Sequence, residues 1–328
     1  MFVTNCISTT KIQKISEITN FFRHYFLSRT EVTSYNIPNG DPFTGEQRYD
    51  EETKRILVSD VRIKRFIRTY LEDIEGEHIY VSDKTGAGKT DSKGVLTWII
   101  ENWNSNQKTD IAEIMKELID VRLFGGISTL EKNMKVGKTD FTNGHVQFTG
   151  PVQFASLNPS LNRVNLRMHQ NTSHFTSKGD KAQGAIATTT LVPYSVVQIH
   201  GWINPTVAKS TDLKEDDLKK MFKALWYGTG GEGSSFSRSK VGQDSLLLLI
   251  IDYKENFDKL YGVDRTIKLV PNESLKDEQI RSMEDYTLDF SKLKDLAKND
   301  KIEKIRFYTE IDKIKNELNG EKFEEMSL

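Results

Sequence analysis

Between residues 60 and 71 the chain reads DVRIKRFIRTYL, with apolar positions Ile63, Phe66, Ile67, Tyr70 and Leu71 at i, i+3, i+4, i+7 and i+8. That spacing predicts one buried stripe of a helix. Ser59 or Asp60 stands where a helix start needs a side-chain oxygen. A second amphipathic helix is predicted over TDLKEDDLKKMFKALWYG (211–228). Its inward residues are Leu213, Leu218, Met221, Phe222, Leu225 and Trp226, with acids in the first turn and Gly228 as the stop. VLTWIIENW (95–103) and DIAEIMKELI (110–119) also carry helical stripes.

Other stretches are apolar without that period. FFRHYFLSRTEVTSYNI (21–37), HIYV (78–81), VRLFGG (121–126), YSVVQIHGWINP (194–205) and LLLLIIDY (246–253) read as strands. The Asn-Gly pair in FTNGHVQFTGPVQF (141–154) predicts a hairpin there. Beyond 256 the chain is charged and helix-like, with a candidate strand near IRFY (305–308). Strands separated by helices, hairpins and irregular insertions predict an α+β domain rather than a regularly alternating sheet.

Residues 163–192 have a different texture. RVNLRMH alternates, with Val164, Leu166 and Met168 against Arg163, Asn165, Arg167 and His169. ATTTLV (187–192) suits a returning strand, and the polar QNTSHFTSKGDKAQG between them has little to bury. The pattern fits an arm projecting from the body, and also a flexible surface loop.

Composition narrows the function classes. The 328 residues carry 46 Lys plus Arg against 47 Asp plus Glu, so no global charge argues for a polyanion partner. Local clusters must carry any such claim. Arg62, Lys64, Arg65 and Arg68 sit on the outer side of the first helix with no acid between them. They form either a solvated face or a phosphate-contacting ridge. The one cysteine excludes an internal disulfide and suits a reducing cytoplasm. Six histidines without ligand spacing give no support to a zinc site. No apolar run is long enough to cross a bilayer, so no membrane contact is expected.

KTGAGKT (84–90), between HIYV and a helix, invites a nucleotide-binding reading in which Lys89 meets a phosphate. Asp83 stands where that loop needs its first glycine, and Asp91-Ser-Lys-Gly94 delays the helix. Asp252, at the end of LLLLIID, resembles the magnesium-holding aspartate of such enzymes. A buried strand ending in Asp is common, and a mobile surface loop explains KTGAGKT equally well.

Several segments in order carry a resemblance. They are IPNGDP (37–42), SDVRIKRFIRTYL (59–71), DVRLFGG (120–126), GPVQF (150–154), VPYSVVQIHGWIN (192–204), EDDLKKMFKALW (215–226) and a glycine/serine loop before a strand. The set, over about residues 22–255, resembles the Cas7 family, the backbone subunit of type I CRISPR interference (Cascade) complexes, most like the type I-B (Csh) branch. The resemblance implies a single RRM-like (ferredoxin-like) palm over 1–328. A finger-like insertion (80–120), a protruding β-hairpin thumb (163–192) and a charged C-terminal elaboration (256–328) are set into it. It implies an antiviral, non-catalytic protein without cofactor that oligomerises along guide crRNA. The protein would hold the sugar–phosphate backbone and leave bases free to pair with target DNA, beside other Cascade subunits.

The implied RNA contacts are Asn39 and Gly40 in the turn, Arg62, Lys64, Arg65 and Arg68 on the helix, and Arg167, Met168 and His169 on the thumb. Met168 or Leu166 would wedge against a displaced base. Gly230, Gly231, Ser234, Arg238 and Lys240 would contribute from the glycine/serine loop. The first twenty residues and the tail beyond about 275 have no counterpart. Related type III subunits cut RNA with an aspartate after the first strand, and Asp41 lies in a comparable place. The NGDP setting makes that Asp a turn cap as well.

Overall fold

A computed structural model describes residues 24–32, 38–84, 91–104, 106–131, 134–136, 139–142, 144–172, 186–230, 242–255 and 258–328, and only the backbone of 24–32. Its centre is a six-stranded sheet. From one edge to the other run Phe323–Glu325, Ile302–Tyr308, Gln243–Tyr253, His24–Val32, Ser195–Ile203 and Val152–Phe154. Neighbours are antiparallel except the short edge strand, which is parallel to Ile302–Tyr308.

The predicted helix forms over Asp60–Asp73 and buries the five predicted residues; Ser59 Oγ accepts from the Arg62 amide as its cap. The second helix runs Glu215–Tyr227 and buries Leu218, Met221, Phe222, Leu225 and Trp226. Both pack on one face of the sheet around Val197, Ile199, Leu248 and Ile250. Each such side chain contributes roughly 1.5–3 kcal/mol when removed from water.

The other face is covered too. Leu247, Leu249 and Ile251 alternate with the residues just named and meet Val263, Ile280, Tyr286 and Leu293 from the C-terminal region. The tail is therefore not a loose charged appendage. It adds two sheet strands, a hairpin (Lys268–Pro271 with Tyr286–Asp289) and two short helices, Ser291–Ala297 and Asp312–Glu317.

A third core belongs to the insertion after the first helix. Leu96, Ile99, Ile111, Ile114 and Met115 meet there. Several local expectations are corrected in this region. HIYV is not a strand: the Tyr80 and Val81 amides donate to the Asp120 carboxylate at 2.8 and 3.1 Å instead of to a neighbouring strand. DIAEIMKELI breaks after Met115, and VRLFGG belongs to a helix, Ile119–Phe124, followed by the strand Gly125–Thr129. That helix carries Arg122 inward, where its guanidinium pairs two-pronged with Asp217 at 2.8 and 2.7 Å. The expected 141–154 hairpin does not form. His145–Thr149 pairs with Gly125–Thr129, and Val152–Phe154 joins the main sheet. Residues Ser92–Trp103 are helical from Ser92 onward, because Asp91 caps the start by accepting from the Gly94 amide.

Candidate functional site

The Asn39–Arg48 turn is braced from every side. Asp41 Oδ1 accepts from the Phe43 and Thr44 amides at 2.9 and 3.3 Å, and Arg48 Nη1 lies 3.2 Å from Asp41 Oδ2. The Asn39 amide donates to Gln47 Oε1 at 2.9 Å, and the Arg48 amide donates to the Asn39 carbonyl at 3.0 Å. Asn39 Oδ1 in turn accepts from the Ser59 amide at 2.7 Å, tying the turn to the residue that caps the first helix. The Phe43 amide bond foremost, then that of Thr44 and the charge of Arg48, outweigh burial and hold the Asp41 carboxyl below its ordinary value. Asp41 is thus spent on holding the turn.

The four cations of the helix have different fates. Lys64 pairs with Asp60 at 3.2 Å, one turn earlier on the helix. Arg68 Nε donates to Asp120 Oδ2 at 2.9 Å, and Asp120 is 0% exposed. Both cations also lie over the Phe124 ring, at 5.8 and 5.2 Å. The expectation of one solvent-facing ridge is corrected for these two: their charges face inward to carboxylates the fold has buried or half-buried. Arg65 remains 62% exposed on the rim of a cleft of about 560 Å³ between helix and insertion. Its one ion pair among the described residues, with Asp83 at 3.3 Å, is also exposed, a kind worth roughly 0.2–1 kcal/mol.

Arg62 differs from all three. Its guanidinium lies 5.9 Å from the Phe66 ring, and its Nη2 is buried with no hydrogen-bond acceptor among the described residues. Burial first, then the charge of Arg65, lowers its pKa to about 10. It is still a cation at neutral pH, part-buried, with its Nη2 unsatisfied among the described residues.

Packing connects Arg62 to the glycine loop. Phe66, one turn on, fills the space a side chain at Gly228 would need: a Cβ there would lie 3.2 Å from the ring. Thr229 and Ser245 hydroxyls meet at 3.2 Å. Gly230 lies so close to the strand that a Cβ would sit 2.3 Å from the Gln243 carbonyl oxygen. Gln243 pairs with Val32, at the end of the central strand. Its Nε2 is a second buried donor without an acceptor among the described residues. The turn at Asn39–Gly40, the start of the first helix, Gly230 and Gln243 thus gather at one end of the sheet. Sequence reasoning missed Gln243, whose only signal was its place directly after the glycine/serine loop. Gly231, Ser234, Arg238 and Lys240 lie outside the described residues.

The arm is built from Arg167–Thr172 and Ile186–Leu191, paired antiparallel from Arg167↔Leu191 to Thr172↔Ile186. Its base is fixed where the Tyr49 hydroxyl donates to the Val164 carbonyl at 2.7 Å. Val164 is buried in the main core, and Leu166 packs partly against it. Arg167, Met168 and His169 are exposed, Met168 by 76%. The expected shared face of Val164, Leu166 and Met168 therefore ends where the chain leaves the body. The tip, 173–185, lies outside the described residues.

The nucleotide-binding residues do not come together. Asp83 faces Arg65, Lys84 pairs with Asp73 at 2.5 Å, and Asp91 caps its helix where a phosphate would have to sit. Asp252 holds Arg306 through two bonds of 2.7 and 3.1 Å. Residues 85–90, Lys89 among them, lie outside the described residues. Among the described residues no group of three or more His, Cys, Asp or Glu comes together as metal ligands would, and no helix is long and apolar enough to cross a membrane.

Known proteins agree with this architecture. A solved "CRISPR RNA-guided surveillance complex" chain shares the fold with a TM-score of 0.50 at 12% identity, over 88% of this chain and 90% of its own. The "CRISPR-associated protein Cas7" of Haloferax volcanii is 29% identical over 269 residues, 78% of this chain and 77% of its length. The family model "CRISPR-associated protein Cas7" matches residues 22–291, well into the C-terminal region for which the sequence suggested no counterpart. The chain belongs to the Cas7 family.

Proposed function

We propose that this protein is a non-catalytic backbone subunit of a type I CRISPR interference complex, most like the type I-B branch. It polymerises along guide crRNA in the cytoplasm, beside other Cascade subunits, and grips the sugar–phosphate backbone while the bases pair with target DNA. Arg62 carries the reading. A covered guanidinium with an unsatisfied nitrogen is costly in a free protein. A phosphate arriving between the Asn39–Gly40 turn and Gly230 would satisfy it. Gln243 Nε2, at the same end of the sheet, is a second donor for a sugar or phosphate oxygen. Arg65 adds salt-sensitive affinity from the rim. The exposed Arg167, Met168 and His169 suit the thumb contacts. Gly231, Ser234, Arg238 and Lys240 complete the proposed set.

Chain order supports an RRM-like palm. Strand, helix, strand, strand, helix, strand lie in sheet order fourth, first, third, second, with both helices on one face. The finger then occupies the gap between the first helix and the second strand. The thumb occupies the gap between the second and third strands, and 256–328 closes the far face. RNA is accordingly held at the rim of the sheet, not across it.

The test is purification without nuclease. The protein should carry RNA, with an absorbance ratio well above that of protein alone, and should assemble on single-stranded RNA in steps set by its length. RNA-free monomers that stay monomeric when guide is added would overturn the reading.

A further inference from the structure

Phe43 is 96% exposed, the most exposed large hydrophobic side chain among the described residues. Its exposure is not that of a loose loop. Its amide is bound to Asp41 Oδ1, the Asp41 amide donates to the Glu46 carbonyl at 2.7 Å, and the Gly45 amide donates to the Asp41 carbonyl at 2.8 Å. The turn is fastened to the helix start through Asn39 and Ser59. A rigid turn thus holds a bare ring in water, forgoing the roughly 1.5–3 kcal/mol its burial would bring.

The surroundings select what covers it. In PNGDPFTGEQR (38–48) only the prolines and Phe43 are apolar, and Pro38 is buried. An apolar protein partner needs a contiguous patch, with anchors ringed by other excluded contacts. A single flat ring with only the exposed Pro42 beside it among polar groups matches one flat ligand face. Nearby are Arg48, which pairs with Asp41 and whose Nε is buried without an acceptor among the described residues, and Arg62 in the first turn of the helix that Ser59 caps. Aromatic faces beside cations that track a backbone are how proteins hold single strands without reading them.

We propose that Phe43 is a stacking platform for one unpaired nucleobase of the nucleic acid held at the Arg62 end of the sheet. The proposal rests on the RNA-binding reading above and adds a base contact to it. The contact is sequence-tolerant, since every base offers a π face.

The full-length protein, freed of RNA, is titrated in two arms. In one, single-stranded RNA carries 2-aminopurine at successive positions. In the other, the label is in complementary single-stranded DNA added after assembly on unlabelled RNA. Wild type should change the fluorescence at a recurring subset of positions, and the responding arm tells whether the base belongs to guide or target. Phe43→Ala should abolish that change and weaken the labelled strand's binding by about 5- to 150-fold. Phe43→Tyr should retain both, and Phe43→Leu should behave like the alanine variant. The exposed position leaves the fold unchanged, checked by thermal melting. A leucine variant equal to wild type would mean that any apolar side chain serves and that no aromatic stacking occurs, and would overturn the proposal. An alanine variant that binds and signals normally would overturn it while leaving the RNA-binding reading intact. Wild-type protein that binds no RNA would remove both.

Discussion

Replacing Arg62 with methionine should make the RNA-free protein more stable and its RNA binding weaker. The guanidinium pKa is lowered well below its ordinary value, to about 10. Such a displacement corresponds to roughly 3 kcal/mol of bias against the charged form. The charge is penalised because the folded state takes it out of water without an acceptor for Nη2. Because a cation's pKa is depressed here, the penalty is fully in force at every pH below about 10 and fades only as pH rises from there towards the ordinary guanidinium value. Methionine keeps an unbranched stem and loses the contact with the Phe66 ring, worth about 0.5–1 kcal/mol. Residual solvation of Arg62 reduces the gain further, leaving about 1–2 kcal/mol, or roughly 1.5–3 °C in melting temperature for a chain of this size. RNA affinity should fall about 10- to 100-fold, the loss of one charge-assisted hydrogen-bonded contact. The slope of log affinity against log salt should shrink by about 0.7. Thermal melts of nuclease-treated protein between pH 6 and 9, paired with fluorescence anisotropy on labelled RNA over a salt series, measure both. A variant that melts lower and binds RNA as before would refute the reasoning, because Arg62 would then be satisfied inside the fold.

Arg68→Ala should destabilise by about 3–5 kcal/mol, seen in denaturant unfolding, since it strands Asp120 in the interior. It is therefore a poor probe of RNA contact. Arg65→Ala should leave stability within about 0.5 kcal/mol and weaken RNA binding modestly, most visibly at low salt. Gly150→Ala should fail to reach wild-type stability in a thermal melt, because a Cβ there would lie 2.1 Å from the Phe124 carbonyl carbon. Asp41→Ala should loosen the turn and weaken RNA binding without removing any cleavage activity; magnesium-dependent cleavage lost in this variant would instead make Asp41 catalytic. In wild type, the Phe43 amide resonance should titrate with a midpoint below the ordinary aspartate value, because a depressed carboxylate keeps its hydrogen bonds until pH falls through the folded value.

Much of the frame was legible because it depends on local period. The wheel of Ile63, Phe66, Ile67, Tyr70 and Leu71, its cap at Ser59, and the strands over 195–203, 243–253 and 302–308 all answer to neighbours a few residues away. VRLFGG was misread because a short apolar run fits a strand or a helix equally. What decides it is Asp217, 95 residues later, which draws Arg122 inward. The Asn-Gly signal at 143–144 lost to other pairings, of Thr139–Phe141 with the nearby Met134–Val136 and of His145–Thr149 with Gly125–Thr129. The site behaves alike. Lys64 could be matched to Asp60 by its i,i+4 spacing, whereas nothing near Arg68 in the chain announces Asp120. A helical wheel ranks directions, not partners, so it grouped four cations that the fold then separated.

One carboxylate, that of Asp120, ties the Tyr80 and Val81 amides to the Arg68 side chain. The insertion and the first helix are therefore stapled at their junction, with Arg62 less than two turns from that point. If copies line up on RNA as proposed, a push on one protein's insertion would reach its own Arg62 end without passing through the sheet.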